Sequence, residues 1–76
     1  MTDHTVKAFD KDLAELDAKI AEMGGLTEKM LTDAIDALIR FDLDLARSTI
    51  ATDPRVDTLE REVEERAVLT LARRQP

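Results

Sequence analysis

Apolar residues recur through the first half of the chain every 3.5 positions on average, and this repeat restricts the fold more than any other feature. The repeat runs from Phe9 to Phe41 in steps of three and four, with Thr27 at a skipped position. Its members are Phe9, Leu13, Leu16, Ile20, Met23, Met30, Ala34, Ala37 and Phe41. A repeat sustained over this length predicts an α-helix that packs against other helices.

Gly24 and Gly25 fall inside this repeat without disturbing its phase. A loop would have no reason to preserve the phase, so we predict one long helix over about residues 6–41, after an irregular start. Two glycines in a helix cost on the order of 1 kcal/mol each relative to alanine. Their ordinary explanation is the close approach of a second helix, and a bend is the alternative.

A second long helix is predicted over about residues 43–73. Asp42 or Asp44 is suited to cap its first turn, because a carboxylate there accepts free backbone N–H groups. The short connection places the two helices antiparallel and adjacent. Pro54 lies within the second helix, which therefore either restarts or kinks there, and we expect a kink.

The fold class is therefore all-α, an antiparallel hairpin of two long helices. A second apolar stripe widens the face of the first helix beyond the seam of a two-helix pair; it consists of Leu31, Ile35 and Leu38. A face of this width needs at least one more helix to cover it. We therefore expect an incomplete three-helix bundle, completed by self-association or by a longer chain. On the outer face, Glu62 and Arg66 are expected to pair.

Composition narrows the classes of function. The chain has 76 residues, no cysteine and a net charge of −6. This charge opposes non-specific binding to nucleic acid or anionic lipid. No apolar segment suits a membrane span or a signal peptide, so we expect a cytoplasmic protein without direct membrane insertion. The only histidine, His4, lies in the predicted irregular start, and the only serine, Ser48, has no catalytic context, so we expect no enzyme.

Acidic residues form the remaining candidate site. Asp53, Asp57, Glu60 and Glu64 step by four, three and four along one side of the second helix. Carboxylates four residues apart lie close enough to share one hard cation or one basic partner. The spacing is also what a solvated charged face produces in an acidic chain, and on pattern alone this second interpretation is favoured.

Several segments together resemble the first part of a PhoU protein, a regulator of phosphate signalling. The segments are Met23-Gly24 with Leu26 and Glu28, Ala37-Leu38, Asp42 with Leu45 and Ala46, Asp53 to Asp57, and Ala72 to Pro76. The resemblance covers nearly the whole chain from Phe9 onward. It implies a family of two similar three-helix bundles, of which this chain would be a part that ends before the third helix.

The resemblance also implies a metal site. PhoU proteins bind metal clusters through acid-x-x-x-acid motifs, and the matching residues here are Asp53 and Asp57. A second such motif lies in a Glu-Arg-Ile-Gly-Asp segment of the family's third helix, beyond this chain. The resemblance therefore implies no cofactor in this chain alone. In the intact protein it implies an iron, manganese, magnesium or zinc cluster.

The function implied by the resemblance is non-catalytic. A PhoU protein links the phosphate-specific ABC transporter to a sensor histidine kinase and keeps phosphate-starvation genes off when phosphate is ample. The implied partners are that kinase and the ATPase subunit of the transporter. We also expect a homodimer with four helices, in which helices can be swapped at the Asp42 turn. The alternatives are a free-standing helical oligomerisation module without a metal site and, ranked last, a carboxylate-metal enzyme.

Overall fold

The structure is a computed structural model that describes residues 2–74. Within that range it consists of two α-helices, α1 at Thr2–Arg40 and α2 at Leu43–Arg74, and contains no strand. The helices lie antiparallel and side by side in a hairpin that measures 59 × 15 × 12 Å. The predicted all-α hairpin is therefore confirmed.

Helix α1 is longer than the sequence pattern indicated. It begins at Thr2, so the predicted irregular start is wrong, because extending an existing helix by one turn costs little where no glycine or proline intervenes. His4 therefore belongs to α1, and its side chain lies outside the described residues. The helix continues through Gly24 and Gly25, as predicted.

The explanation predicted for the two glycines is wrong within this hairpin. A Cβ atom added at Gly24 or at Gly25 would meet no atom within 4 Å. The glycines therefore do not serve a close approach of α2, because the space above both of them is open.

The turn between the helices occupies two residues, Phe41 and Asp42. The Asp42 N–H donates to the carbonyl of Ala37 at 2.9 Å, and Phe41 has a φ of 55°, which is the backbone pattern that closes many helices. An Asp42 carboxylate oxygen then accepts the backbone N–H of Leu45 at 3.0 Å. Asp42 is therefore the cap of α2, one of the two candidates predicted for that role.

Helix α2 continues through Pro54 without interruption, so the alternative of a restart there does not occur. Proline removes one backbone donor, but Leu59 beyond it is 1% exposed and packs against α1. This packing holds the helix in place just beyond the missing hydrogen bond. The expected kink at Pro54 stays a prediction.

The core between the helices is thin. Among the described residues its fully buried apolar side chains are Ala37 and Leu59, while Asp12 is also buried. Leu13 and Ile20, which the repeat predicted at the seam, remain 42% and 48% exposed. At these two places the preceding residues, Asp12 and Lys19, occupy the seam and pair with charged residues of α2, as described below. Leu13 and Ile20 consequently lie beside the seam, facing away from its centre.

Several threonine hydroxyls are satisfied within α2 itself. Each donates to the carbonyl four residues earlier: Thr49 to Leu45, Thr52 to Ser48, Thr58 to Pro54 and Thr70 to Arg66, at 2.7–3.0 Å. Thr70 is only 4% exposed. These residues can therefore lie near the core without leaving an unsatisfied polar group.

Candidate functional site

One edge of the hairpin carries a series of ion pairs between the helices, and we call it the paired edge. The pairs, from the chain ends toward the turn, are Asp12–Arg73 at 2.7 Å, Asp12–Arg66 at 3.6 Å, Glu15–Arg66 at 2.6 Å, Lys19–Glu62, and Glu22–Arg55 at 2.6 Å. The α1 residues of these pairs are negatively charged except for Lys19. The partner of Lys19 on α2 is the negatively charged Glu62. This reversal makes each helix complementary to the other in one antiparallel alignment.

Asp12 is the most deeply buried charged group of this edge. Its residue exposure is 3%, and its carboxylate accepts a hydrogen bond from the guanidinium of Arg73. Arg66 contributes a second positive charge. A carboxylate removed from water requires such partners, because an unpaired buried charge is strongly unfavourable.

Glu62 titrates differently from an ordinary glutamate. The Lys19 ammonium donates a hydrogen bond to its carboxylate, and the Lys19 charge also attracts it, so the pKa of Glu62 lies below its usual 4.5. The predicted pair of Glu62 with Arg66 along α2 is wrong. Both side chains reach across to α1 instead, because acceptors and donors of opposite sign are available there.

The opposite edge of the hairpin is open. Residues two positions apart on a helix point about 160° apart, so Leu13 and Ile20 lie opposite Glu15 and Glu22 of the paired edge. Near the turn this open edge forms an apolar cleft of about 570 Å³, the tip cleft. Its apolar lining consists of Ala34, Ala37, Leu38, Phe41, Leu43, Ala46 and Ile50.

Asp53 and Asp57 also lie on the open edge. Both are exposed, and each stands two residues from Arg55, which points toward the paired edge. Among the side chains that the structure describes, residues 7–73, no group of three or more His, Cys, Asp or Glu could hold a metal ion. Two carboxylates supply fewer oxygens than a hard cation takes, so the described residues alone do not fit a metal centre. The assignment of Asp53 and Asp57 as metal ligands therefore stays a prediction.

The remaining acids of the predicted ridge, Glu60 and Glu64, are likewise exposed on α2. They follow Asp53 and Asp57 along the same side, so the open edge is apolar near the turn and acidic along its middle. Neither described helix is long and apolar enough to cross a membrane.

Sequence reasoning missed the paired edge. Its central residue, Asp12, was overlooked because a polar residue at a seam position looks like an interruption of the repeat. A usable signal exists: on α1, Asp12 and Lys19 are seven residues apart, and on α2, Arg66 and Arg73, like Arg55 and Glu62, are also seven residues apart. Charges that keep the heptad period on one helix and recur with opposite sign on the other indicate pairing across the seam.

Comparison with known proteins identifies the family. A family model described as the PhoU domain matches residues 20–76. The chain belongs to the PhoU family. The PhoU match includes the turn, the tip cleft, Asp53 and Asp57, and about half of α1, whereas the paired-edge residues Asp12, Glu15 and Lys19 precede it.

Named relatives of the same family cover the whole chain. The relative from Rhizobium meliloti, named phosphate-specific transport system accessory protein PhoU homolog, is 45% identical to this chain over 96% of the chain. The relative of the same name from Caulobacter vibrioides is 45% identical over the whole chain. A protein of that name in Zymomonas mobilis is 48% identical over 96% of the chain. The chain spans about a third of the length of these relatives. No solved structure matches it.

Proposed function

We propose that this chain acts within a cytoplasmic, non-catalytic regulator of phosphate uptake. The regulator couples the phosphate-specific ABC transporter to a sensor histidine kinase and keeps phosphate-starvation genes off while phosphate is ample. The observation that carries this proposal is the match to the PhoU domain, together with relatives named as accessory proteins of phosphate-specific transport. Its direct partners are the ATPase subunit of the transporter and the kinase.

The experiment is a chimera. The matching third of the Caulobacter vibrioides relative is replaced by this chain and expressed in a strain that lacks the relative, with a phosphate-starvation reporter. We expect the chimera to restore repression at high phosphate. A matched chimera with Asp12→Ala, which breaks the paired edge, is expected to lose repression. Normal folding of the first chimera without any repression would refute the proposed role.

We further propose that Asp53 and Asp57 contribute two ligands to a metal cluster in the longer protein, with the other ligands supplied by residues outside this chain. Their exposure on one side of α2 supports this arrangement. Asp57→Ala in the chimera should lower the bound iron, manganese, magnesium or zinc measured by elemental analysis. Asp10→Ala, an exposed acid on α1, is the control and should leave it unchanged. Equal metal content in both variants would refute the assignment.

Self-association is the other part of the proposal, and the open edge favours it. Leu38, Leu43 and Ile50 are 75%, 68% and 71% exposed, which is unusual for large apolar side chains in one patch. We propose a homodimer that covers them. The same patch supports the second candidate function, a free-standing oligomerisation module. A chain that dimerises but fails as a chimera would favour that candidate.

A further inference from the structure

Each helix contains residues that weaken it, and those residues lie at the same level of the hairpin. On α1 they are Gly24 and Gly25, and on α2 the residue is Pro54. The ion pair between Glu22 and Arg55, at 2.6 Å, defines this level. Gly24 follows Glu22 by two residues and Pro54 precedes Arg55 by one, so both lie within one helical repeat of the pair. Both also lie on its side nearer the turn between the helices.

Glycine and proline weaken a helix for different reasons. Glycine has no Cβ, so its backbone reaches conformations that other residues resist. Pro54 has no N–H, so the carbonyl of Ile50 does not receive its usual helical hydrogen bond, and the proline ring crowds that carbonyl. Sharp bends in helices occur chiefly where such residues interrupt the backbone hydrogen bonds. The two helices therefore share one level at which bending is easiest.

Neighbouring atoms do not hold the helices straight at this level. A Cβ atom added at Gly24 or Gly25 would meet no atom within 4 Å. Both glycines and Pro54 are exposed to solvent. A bend at these residues therefore meets little steric resistance within the hairpin.

The ion pairs change character at the same level. Among the described side chains, residues 7–73, every ion pair between the helices lies at or on the chain-end side of Glu22–Arg55. On the other side, the ion pairs join residues of a single helix: Lys29 with Asp33, and Asp44 with Arg47. Charge pairing between the helices thus stops where the glycines and the proline begin.

We call residues 2–23 with residues 55–74 the paired part, and residues 26–53 the tip part. The paired part is held together by its ion pairs and by Leu59, which is 1% exposed against α1. The tip part is held together by the turn itself, by the hydrogen bond from Asp42 to Ala37 at 2.9 Å, and by the burial of Ala37. Each part can therefore keep its internal contacts while the angle between the two parts changes.

We propose that Gly24, Gly25 and Pro54 form a single hinge across both helices, about which the tip part bends relative to the paired part. The helices bend together because they lie side by side and are joined at the turn. All residues that line the tip cleft belong to the tip part, and the ion pairs of the paired edge belong to the paired part. The hinge therefore sets the orientation of the tip cleft relative to the paired edge.

The test measures residual dipolar couplings of the backbone N–H groups of the whole chain in a weakly aligning medium. A rigid hairpin has one degree of alignment throughout, whereas a hinge gives its two parts different degrees. We expect the alignment of one part to be lower by about a tenth or more, the size that excursions of about 20° or more produce.

A stiffened variant locates the motion. It carries Gly24→Ala, Gly25→Ala and Pro54→Ala, which supply the missing Cβ atoms and the missing N–H, and both parts should then share one degree of alignment. The matched control carries as many changes to alanine at exposed positions outside the hinge, Asp17→Ala, Thr32→Ala and Arg61→Ala, and should keep the difference. Circular dichroism verifies that both variants are helical.

Pro54→Ala alone distinguishes one shared hinge from two independent ones. It should reduce the difference in alignment within α1 as well as within α2, because the helices bend together. An effect confined to α2 would refute the shared hinge. Equal alignment of the two parts in the original chain would refute any hinge, and a difference that persists in the stiffened variant would refute its assignment to these three residues.

Discussion

The two edges of the hairpin are built from the same two helices, yet they meet different requirements. On the paired edge, Asp12, Lys19 and Glu22 each face an opposite charge on α2. On the open edge, apolar side chains near the turn remain exposed, and Asp53 and Asp57 form no ion pair with any described residue. The difference indicates that complementary charge fixes the alignment of the helices along one edge, while the other edge keeps large apolar side chains exposed.

The largest expected effect on stability comes from replacing an aspartate by asparagine on the paired edge and comparing it with the same substitution on the open edge. Asp12→Asn should destabilise the hairpin by about 2 kcal/mol, because Arg66 and Arg73 lose a buried charged acceptor. Asp57→Asn should change the free energy of unfolding by less than about 0.5 kcal/mol. Urea unfolding followed by circular dichroism measures both. Similar losses in the two variants would abolish the distinction between the edges.

A glycine substitution tests how open the space above α1 is. Gly24→Ala should stabilise the chain by about 0.5–1 kcal/mol, because alanine favours helix and its Cβ meets no atom within 4 Å. Gly25→Ala should behave alike. Thermal unfolding measures the gain. A loss of stability would reveal a helix of another copy pressed against these positions.

A charge exchange tests whether the reversal of sign at Lys19 matters. Lys19→Glu places like charges together and should lower the free energy of unfolding slightly, because the two side chains are only partly exposed, at 29% and 37%. Adding Glu62→Lys restores opposite charges and should recover most of the loss. The coupling energy from the two single variants and the double variant gives the answer. A coupling of zero would mean that this pair does not contribute to alignment.

The smallest effect is a dependence on pH. Because the pKa of Glu62 is lowered in the folded chain, its ionised form stabilises the fold above the ordinary value of 4.5, and that contribution is lost as the pH falls through the lowered pKa. Glu62→Gln should therefore differ from the original chain at neutral pH and converge with it in acid. Urea midpoints across this range provide the measurement, and a constant difference would contradict it.

The sequence predicted the hairpin well because its strongest signals are local. The heptad steps identified α1 through Gly24 and Gly25, and Asp42 was identified as a candidate cap from its position before a new apolar period. Helix formation and capping depend on residues within a turn or two, so one chain contains the information that they need.

The paired edge and the exact seam could not be predicted in this way. Burial of Asp12 depends on Arg73, which is distant in sequence, and a hydrophobic pattern treats any charge as exposed. The same pattern placed Leu13 at the seam because it counts apolar residues without knowing which neighbour covers them. For Asp53 and Asp57 the signal was a family resemblance, and their role depends on residues outside the chain.

The threonine hydroxyls that donate within α2 have a consequence for the rate at which the helices separate. Thr49, Thr52 and Thr70 keep their hydrogen bonds when α1 leaves, so opening need not wait for water to reach those groups. The barrier to separating the helices then comes chiefly from the few buried apolar contacts around Leu59 and from the ion pairs. Water solvates the separated charges of those pairs. A hairpin built in this way should open and reclose many times during the life of the protein.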